Sequence, residues 1–308
     1  MTLPALPAKA AYITINNAAK RNALSLAVLR DLKSQLTTAL TGSSGRLLIL
    51  PTFDPGLLEK LEANDPEFDW LLSAKKWREE RATLPNVLVL RSEGPVFSSG
   101  HDLKELAKLP HEEVKETFAL CAEVMHLIRH SPAPVVAPIQ GFATAAGFQL
   151  AMTADYPIAL ADTPVRLPGA TIGLPCTSPS TAVSRRLGNG LTYRLLATAE
   201  QITAAEANAS GFIDIVPVPE HAESTDTAGK AFRERVAWVI DTLAKGPGQP
   251  TALGKWAYWT QIGINSPGDG YEEAARWTGR VMALHARADD AREGIKAFFE
   301  KRKPEWQT

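Results

Sequence analysis

Cysteine is scarce in this chain: of 308 residues only Cys121 and Cys176 carry a thiol. They stand far apart and without the paired spacing of metal ligands, so a disulfide framework is excluded, no metal centre is expected, and a reducing compartment fits. Neither charge sign is in excess. Lys and Arg total 33 against 34 Asp and Glu, a formal net charge of −1, so no global basic field argues for nucleic acid or an anionic membrane as partner. No apolar run approaches the length of a bilayer-spanning helix. Met1 to Ala11 lack arginine and a signal-like apolar core and lead into Tyr12-Ile13-Thr14-Ile15, while Trp306-Gln307-Thr308 is not a peroxisomal ending. The expectation is a cytoplasmic protein, or a mitochondrial one whose targeting peptide is not seen in this chain.

What is present is enough apolar residue, 45%, to bury a large core in one or two domains. The most informative stretch runs from Phe97 to Asp155. It opens with Phe97-Ser98-Ser99-Gly100-His101-Asp102-Leu103 and closes with Gly141-Phe142-Ala143-Thr144-Ala145-Ala146-Gly147-Phe148-Gln149-Leu150-Ala151. A strand-like run precedes each half, Val87 to Leu90 and Val135 to Ile139, and small residues then let the backbone turn sharply and approach a ligand. Two such turns facing each other aim two backbone N–H groups at one oxygen, the arrangement that stabilises charge developing on a carbonyl.

These two stretches resemble the enoyl-CoA hydratase/isomerase (crotonase) superfamily. Lys20-Arg21-Asn22-Ala23-Leu24 near the start and the run from Glu293 to Pro304 near the end match in the family's order. Within it, Ser-Gly-His-Asp-Leu, Ala-Thr-Ala-Ala-Gly and Lys-Arg-Lys-Pro-Glu-Trp are most similar to the enoyl-CoA hydratase domain-containing protein 3 branch. The resemblance implies an α/β fold, a spiral of repeated ββα units over residues 1–216 followed by a helical trimerisation region over 217–308. It implies an acyl-CoA thioester as substrate, with coenzyme A as part of that substrate and no separate cofactor, and a homotrimer or hexamer. The residue after the glycine, His101, and Ala146 in the second turn take the oxyanion-hole positions. Contacts to coenzyme A and substrate are implied for Lys20, Arg21, Ala23, Ser99, Asp102, Leu103, Lys104 and Cys176, and for Phe298 and Lys301 of the last helix, which reach a neighbouring subunit's ligand.

Bland readings stand beside these. The His101 side chain has no task if only its N–H is used; Asp102 suits a bond to loop amides or a helix start; an aromatic such as Phe298 at helical spacing is more often core than ligand contact. Asp155 and Asp162 fit turns flanking strands.

In chain order, Ala11 to Ile15 reads as a strand. Ser25 caps a helix with Leu26, Leu29, Leu32, Leu36 and Leu40 on one face. Residues 41–85 are an insert of roughly forty residues relative to the family. It holds a strand candidate, Leu47 to Leu50, and a helical stretch from Phe68 to Arg81, and its Trp and Leu content argues for structure rather than disorder. Glu105 to Leu109, Glu112 to Arg129 and Thr198 to Ser210 read as helices, Phe212 to Val216 as a last strand, and the rest as helix.

The catalytic carboxylates are where the pattern departs from a hydratase. The resemblance puts Gln149 and Gly169 at the two positions that are glutamates in hydratases, and neither residue serves as a general base. Cys176, Thr177 and Ser178 are candidates to shape the pocket or, less simply, to replace that chemistry. Three functions therefore remain open: an enzyme of hydratase/isomerase type with altered catalysis, a non-catalytic acyl-CoA-binding protein, and a crotonase-fold enzyme acting on a non-CoA carbonyl.

Overall fold

A computed structural model describes residues 3–52, 54, 56–210, 214–218, 225–263, 271–286 and 289–305. Strand β1 (Ala10–Ile15) leads through a 3₁₀ turn to helix α1 (Leu26–Leu40), whose first turn is capped by the Ser25 side chain accepting from the Val28 N–H. The insert follows as three short helices, α2 (Leu57–Glu62), α3 (Asp69–Leu72) and α4 (Ala74–Arg81). Then come the repeats of the fold: β2 (Val87–Ser92) and β3 (Val96–Ser98) with α5 (Leu103–Leu106) and α6 (His111–Arg129), and β4 (Val135–Ile139) and β5 (Phe142–Thr144) with α7 (Ala146–Thr153). A third repeat has β6 (Tyr156–Leu160), β7 (Pro164–Arg166) and α8 (Thr177–Thr198), the last bent at Gly188. After β8 (Gln201–Thr203), α9 (Ala204–Ala207) and β9 (Asp214–Val216), the chain is helical: α10 (Thr225–Lys245), α11 (Gly248–Gly263), α12 (Tyr271–His285) and α13 (Asp289–Glu300).

The first strand of each repeat joins a parallel sheet in the order β1-β2-β4-β6-β9. The second strand joins a smaller sheet, β3-β5-β7-β8, parallel except where β8 runs against β7. Both faces of the larger sheet are covered, which is why its strands read as continuous apolar runs. In β2, Leu88 and Leu90 enter the main core with α1, α6 and α7, while Val87 and Val89 turn to the other face and meet Phe232, Val236, Val239 and Ile240 of α10. This is the α/β spiral with helical C-terminal region that the resemblance implies. No helix among the described residues is long and apolar enough to cross a membrane.

The insert builds two small cores of its own. Leu48, Leu50, Trp70 and Leu71 gather around Ala252 of α11, and Leu57, Leu61 and Phe68 form the second, with Trp256 of α11 touching both. The Trp70 and Trp77 rings stack at 5.9 Å, and the Trp256 indole N–H donates to the Pro51 carbonyl at 3.0 Å.

Several sequence expectations change. Leu47 to Leu50 is not a strand: the Leu48 N–H goes to the Leu40 carbonyl and the Leu50 N–H to the His130 carbonyl, so two helix ends take the bonds that a ladder would need. The stretch 68–81 is two helices, because Ser73 is extended (φ −92°, ψ 119°) and its side chain caps α4. The helix expected over 198–210 is replaced by β8 and α9. Thr203 and Glu206 make a reciprocal capping box that starts α9 afresh, and 201–203 pairs with β7. Phe212 lies outside the described residues, and the strand there begins at Asp214.

Candidate functional site

Parallel pairing of β3 with β5 makes the two glycine-bearing turns leave the smaller sheet side by side. Their approach is close. Gly100 has φ +82°, and a Cβ there would lie 2.8 Å from the Ala145 Cβ and 3.2 Å from both the Ala146 nitrogen and the Thr144 carbonyl oxygen, so only glycine fits. The first turn is pinned from the far side by Leu24, whose N–H donates to the Gly100 carbonyl at 2.8 Å and whose carbonyl accepts from Asp102. The second is held by the Ala145 N–H donating to the Arg166 carbonyl at 3.0 Å.

Neither the His101 N–H nor the Ala146 N–H has an acceptor among the described residues. Ala146 is the first residue of α7, where a helix leaves its amide hydrogens unpaired and its dipole positive. Ala145, just before it, adopts φ +50°, ψ −126°, a strained backbone for a residue with a Cβ. Strain of that kind persists where the surroundings over-determine it, and here it swings the start of α7 against Gly100.

The other side chains around the first turn are committed to structure. The His101 ring donates from Nδ1 to the Leu24 carbonyl at 3.3 Å and lies edge-on to Phe118, 4.9 Å between centroids. Burial pushes its pKa down to about 4, despite that bond, so the ring is neutral near pH 7. Asp102 caps α5, accepting from the Lys104 and Glu105 N–H groups at 3.1 and 3.2 Å, and binds the Lys20 ammonium at 2.9 Å. Burial works to raise its pKa, and Lys20 with the two amides holds it below the usual value. The Glu105 carboxylate takes the Leu26 N–H at the start of α1.

Of the remaining expected contacts, Arg21 is exposed and lends its carbonyl to the Ser99 N–H, Ala23 is buried, Leu103 packs beside the cluster of Leu106, Val114 and Phe118, and the Lys104 ammonium sits 5.4 Å over the Phe299 ring. Phe298 is not core: it is 57% exposed, next to the exposed Lys301 at the end of α13.

Gln149, one turn into α7, is buried; its Nε2 donates to Ser178 Oγ at 3.5 Å and its Oε1 has no partner among the described residues. Gly169 is a different case. A Cβ at 169 would stand 2.0 Å from the Leu174 carbonyl oxygen and 2.9 Å from the Cys176 nitrogen and sulfur, so no side chain of any kind fits while the 174–176 backbone stays in place. Cys176 is correspondingly occupied. Its sulfur accepts the Gly169 N–H at 3.2 Å and so braces the 169 turn, and burial pushes the thiol up to about 12, which keeps it protonated near pH 7.

Beside this region lies a cavity of about 480 Å³. Leu106, Leu109, Val114, Leu174, Ile295 and Phe299 give it an apolar wall, with His111, Arg292 and Lys296 as its polar part. Leu106, Val114 and Leu174 belong to the same cluster as Phe118, on which the His101 ring rests, so Phe118 links the cavity wall to the first turn.

Two constellations escaped the sequence reading. Asp155 accepts from the Val135 N–H at 2.7 Å, from the buried Lys255 at 2.6 Å and from the Trp259 indole at 3.0 Å, which ties α11 to the sheet and gives Asp155 the structural role expected of it through a partner a hundred positions away. His126 and His130 stack on α6 and face Glu272 of α12. Their spacing of four was the available signal, since it puts both rings on one side of a helix.

With this geometry in hand, the chain's likeness to known proteins has a physical meaning. Residues 73–245 match the family model "Enoyl-CoA hydratase/isomerase". Mouse enoyl-CoA hydratase domain-containing protein 3, mitochondrial, is 33% identical over 295 residues, 96% of this chain and 80% of that protein. Among solved structures, the human protein of that name is 30% identical with a TM-score of 0.62, covering 97% of each chain. An enoyl-CoA hydratase of Mycobacterium smegmatis is 29% identical with a TM-score of 0.64, covering 97% of this chain and 96% of its own. Spiral, paired glycine turns and sequence thus agree, and the chain belongs to the enoyl-CoA hydratase/isomerase family.

Proposed function

We propose that the protein binds an acyl-CoA thioester and stabilises the enolate form of its acyl group, with the thioester oxygen between the His101 and Ala146 N–H groups. The observation that carries this reading is that these two donors lie on turns in van der Waals contact and have no acceptor among the described residues. A donor of this kind typically contributes ~10²-fold to 10³-fold in rate, because it is already oriented when charge develops. The 480 Å³ cavity, whose wall is joined to the first turn through Phe118, is the space for the acyl chain. Lys296 lines it and Lys104 stands over its Phe299; with the exposed Lys20 and Lys301 they are cations that suit the phosphates, and the exposed Phe298 suits an adenine across a subunit boundary in a trimer or hexamer.

Acid–base catalysis is the weak part of the site. Gln149 does not ionise, Gly169 has no room for a side chain, and Asp102 and Glu105 are bonded to helix starts. Hydration should therefore be slow in the wild type, lacking general acid–base groups that typically contribute ~10²-fold to 10⁴-fold each. These same facts favour a second reading, binding of acyl-CoA without turnover. The mouse relative's name places that protein in mitochondria, which supports the mitochondrial of the two expected compartments.

Three measurements on the full chain test this: calorimetric binding of crotonyl-CoA, its hydration rate, and both again after Gln149→Glu. Binding with a slow rate that rises at least ~10²-fold in the variant supports the enolate-stabilising site. A backbone ester replacing the Ala145–Ala146 amide, which removes one N–H and little else, should then lower that rate by ~10²-fold. Binding with no turnover in either form supports the second reading, and absence of binding overturns both.

A further inference from the structure

We infer that His126, His130 and Glu272 form a binding site for a divalent first-row metal ion, separate from the acyl site and clasping α6 to α12. One ligand atom from each residue lies within 4.8 Å of the other two. His126 Nδ1 is 3.1 Å and His130 Nε2 2.7 Å from the same carboxylate oxygen, Glu272 Oε1. Two imidazoles and one carboxylate are the donor set that suits Zn²⁺ and its neighbours, which take such ligands at about 2.0–2.2 Å.

The surroundings are those of a metal-bound histidine. His130 Nδ1 lies 2.8 Å from the Leu50 carbonyl, which only accepts, so Nδ1 carries a hydrogen and Nε2 is the nitrogen turned to Glu272. That is the outer hydrogen bond by which proteins orient a metal-ligating imidazole. A ring nitrogen 2.7 Å from a carboxylate oxygen needs positive charge between the two atoms, and a metal ion supplies it as a proton does. His126 Nδ1, 3.1 Å from the same oxygen, is buried and has no well-aligned hydrogen bond among the described residues. Helical spacing of four stacks the two rings at 4.5 Å with the planes 24° apart, presenting both toward α12. The three side chains are 14–27% exposed, and His126 and Glu272 line an open cavity of about 210 Å³ through which an ion and its water ligands enter, with Glu123 and Arg276 as its other charged residues.

The site uses no residue of the oxyanion turns, so its effect is on docking. Leu50 belongs to the insert, and its N–H in turn donates to the His130 carbonyl at 2.7 Å. A bound ion would thus hold α12, α6 and the insert through one histidine.

The test is titration of the untagged, full-length protein with Zn²⁺ alone, followed by calorimetry and by the visible absorption of Co²⁺ in its place. One ion per chain is expected. Glu272→Gln and His126→Asn should weaken it by more than the ~10-fold to 100-fold that loss of a mere outer partner costs, and His111→Gln should leave it unchanged. A wild-type crystal soaked in Zn²⁺ and read by anomalous scattering decides the position without any variant. No uptake, uptake equally strong in Glu272→Gln, or an anomalous peak elsewhere would mean that only a proton bridges these residues, and would overturn the inference.

Discussion

Ala145 and Gly100 face each other across the site with opposite demands. Ala145 bears a Cβ where φ is +50°, and Gly100 lacks one where a Cβ would collide. Ala145→Gly should therefore relieve strain worth ~1–3 kcal/mol, offset by ~0.4–1 kcal/mol of unfolded-state entropy, for a net gain of up to ~2.6 kcal/mol. Gly100→Ala should cost ~1–3 kcal/mol as the turns are forced apart, and should weaken crotonyl-CoA binding with it. Denaturant melts of the two variants check the signs; a stabilised Gly100→Ala would show that the turns are not in contact. His101 offers a test by pH. Its folded pKa is about 4, below the unfolded value near 6.5, so the unfolded chain binds the extra proton first. The ring's contribution is whole above pH 6.5 and is lost as pH falls toward 4, on the order of 3 kcal/mol in all. Melts from pH 7 to 4.5 should fall less steeply for His101→Asn than for wild type. Equal slopes would mean that the ring takes up a proton in place.

The insert behaves as an element of its own, yet it is not free-standing. Trp70 and Trp77 fill one small core and Leu57, Leu61 and Phe68 a second, both apart from the main one and both closed by α11. Trp70→Ala should cost ~3–5 kcal/mol, spent locally. Hydrogen exchange should speed up in α3, α4 and α11 while β4 and α7 keep their protection. Acceleration throughout the chain would instead make the insert part of the central core. Some of this was legible beforehand and some was not. The leucine face of α1 and the Ser25 cap announce themselves because helical spacing and capping are local. The two turns were legible as small residues after apolar strands. The docking of Trp256 on Pro51, the occupation of Asp155 by Lys255 and the closure of Gly169 by Leu174 depend on which segments meet in space, and no local pattern carries that. The 201–203 strand was hidden in an alanine-rich stretch whose helical propensity yields to pairing with β7.

At the scale of the molecule, the described surface carries large hydrophobic side chains in the open: Trp238 at 57%, Tyr258 at 54% and Phe298 at 57% exposed. Aromatic residues so placed are enriched at protein interfaces, and the last of them stands where the family resemblance sends a side chain to a neighbour. We therefore expect a trimer or a dimer of trimers by light scattering, and Phe298→Ser should weaken crotonyl-CoA binding more than it changes the melting temperature. A monomer with unaltered binding in the variant would confine the acyl site to one chain.

The carbonyl of Leu174, 2.0 Å from where a side chain at 169 would begin, also governs which evolutionary histories are open to this protein. A library that varies one position at a time and is selected for faster hydration will return nothing at 169, whatever the benefit of a carboxylate there. Winners at that position must arrive coupled to changes in 174–176 that move the obstructing strand of chain. Gln149 has no such toll, so adaptation toward acid–base catalysis has a first step at one position and a barrier at the other.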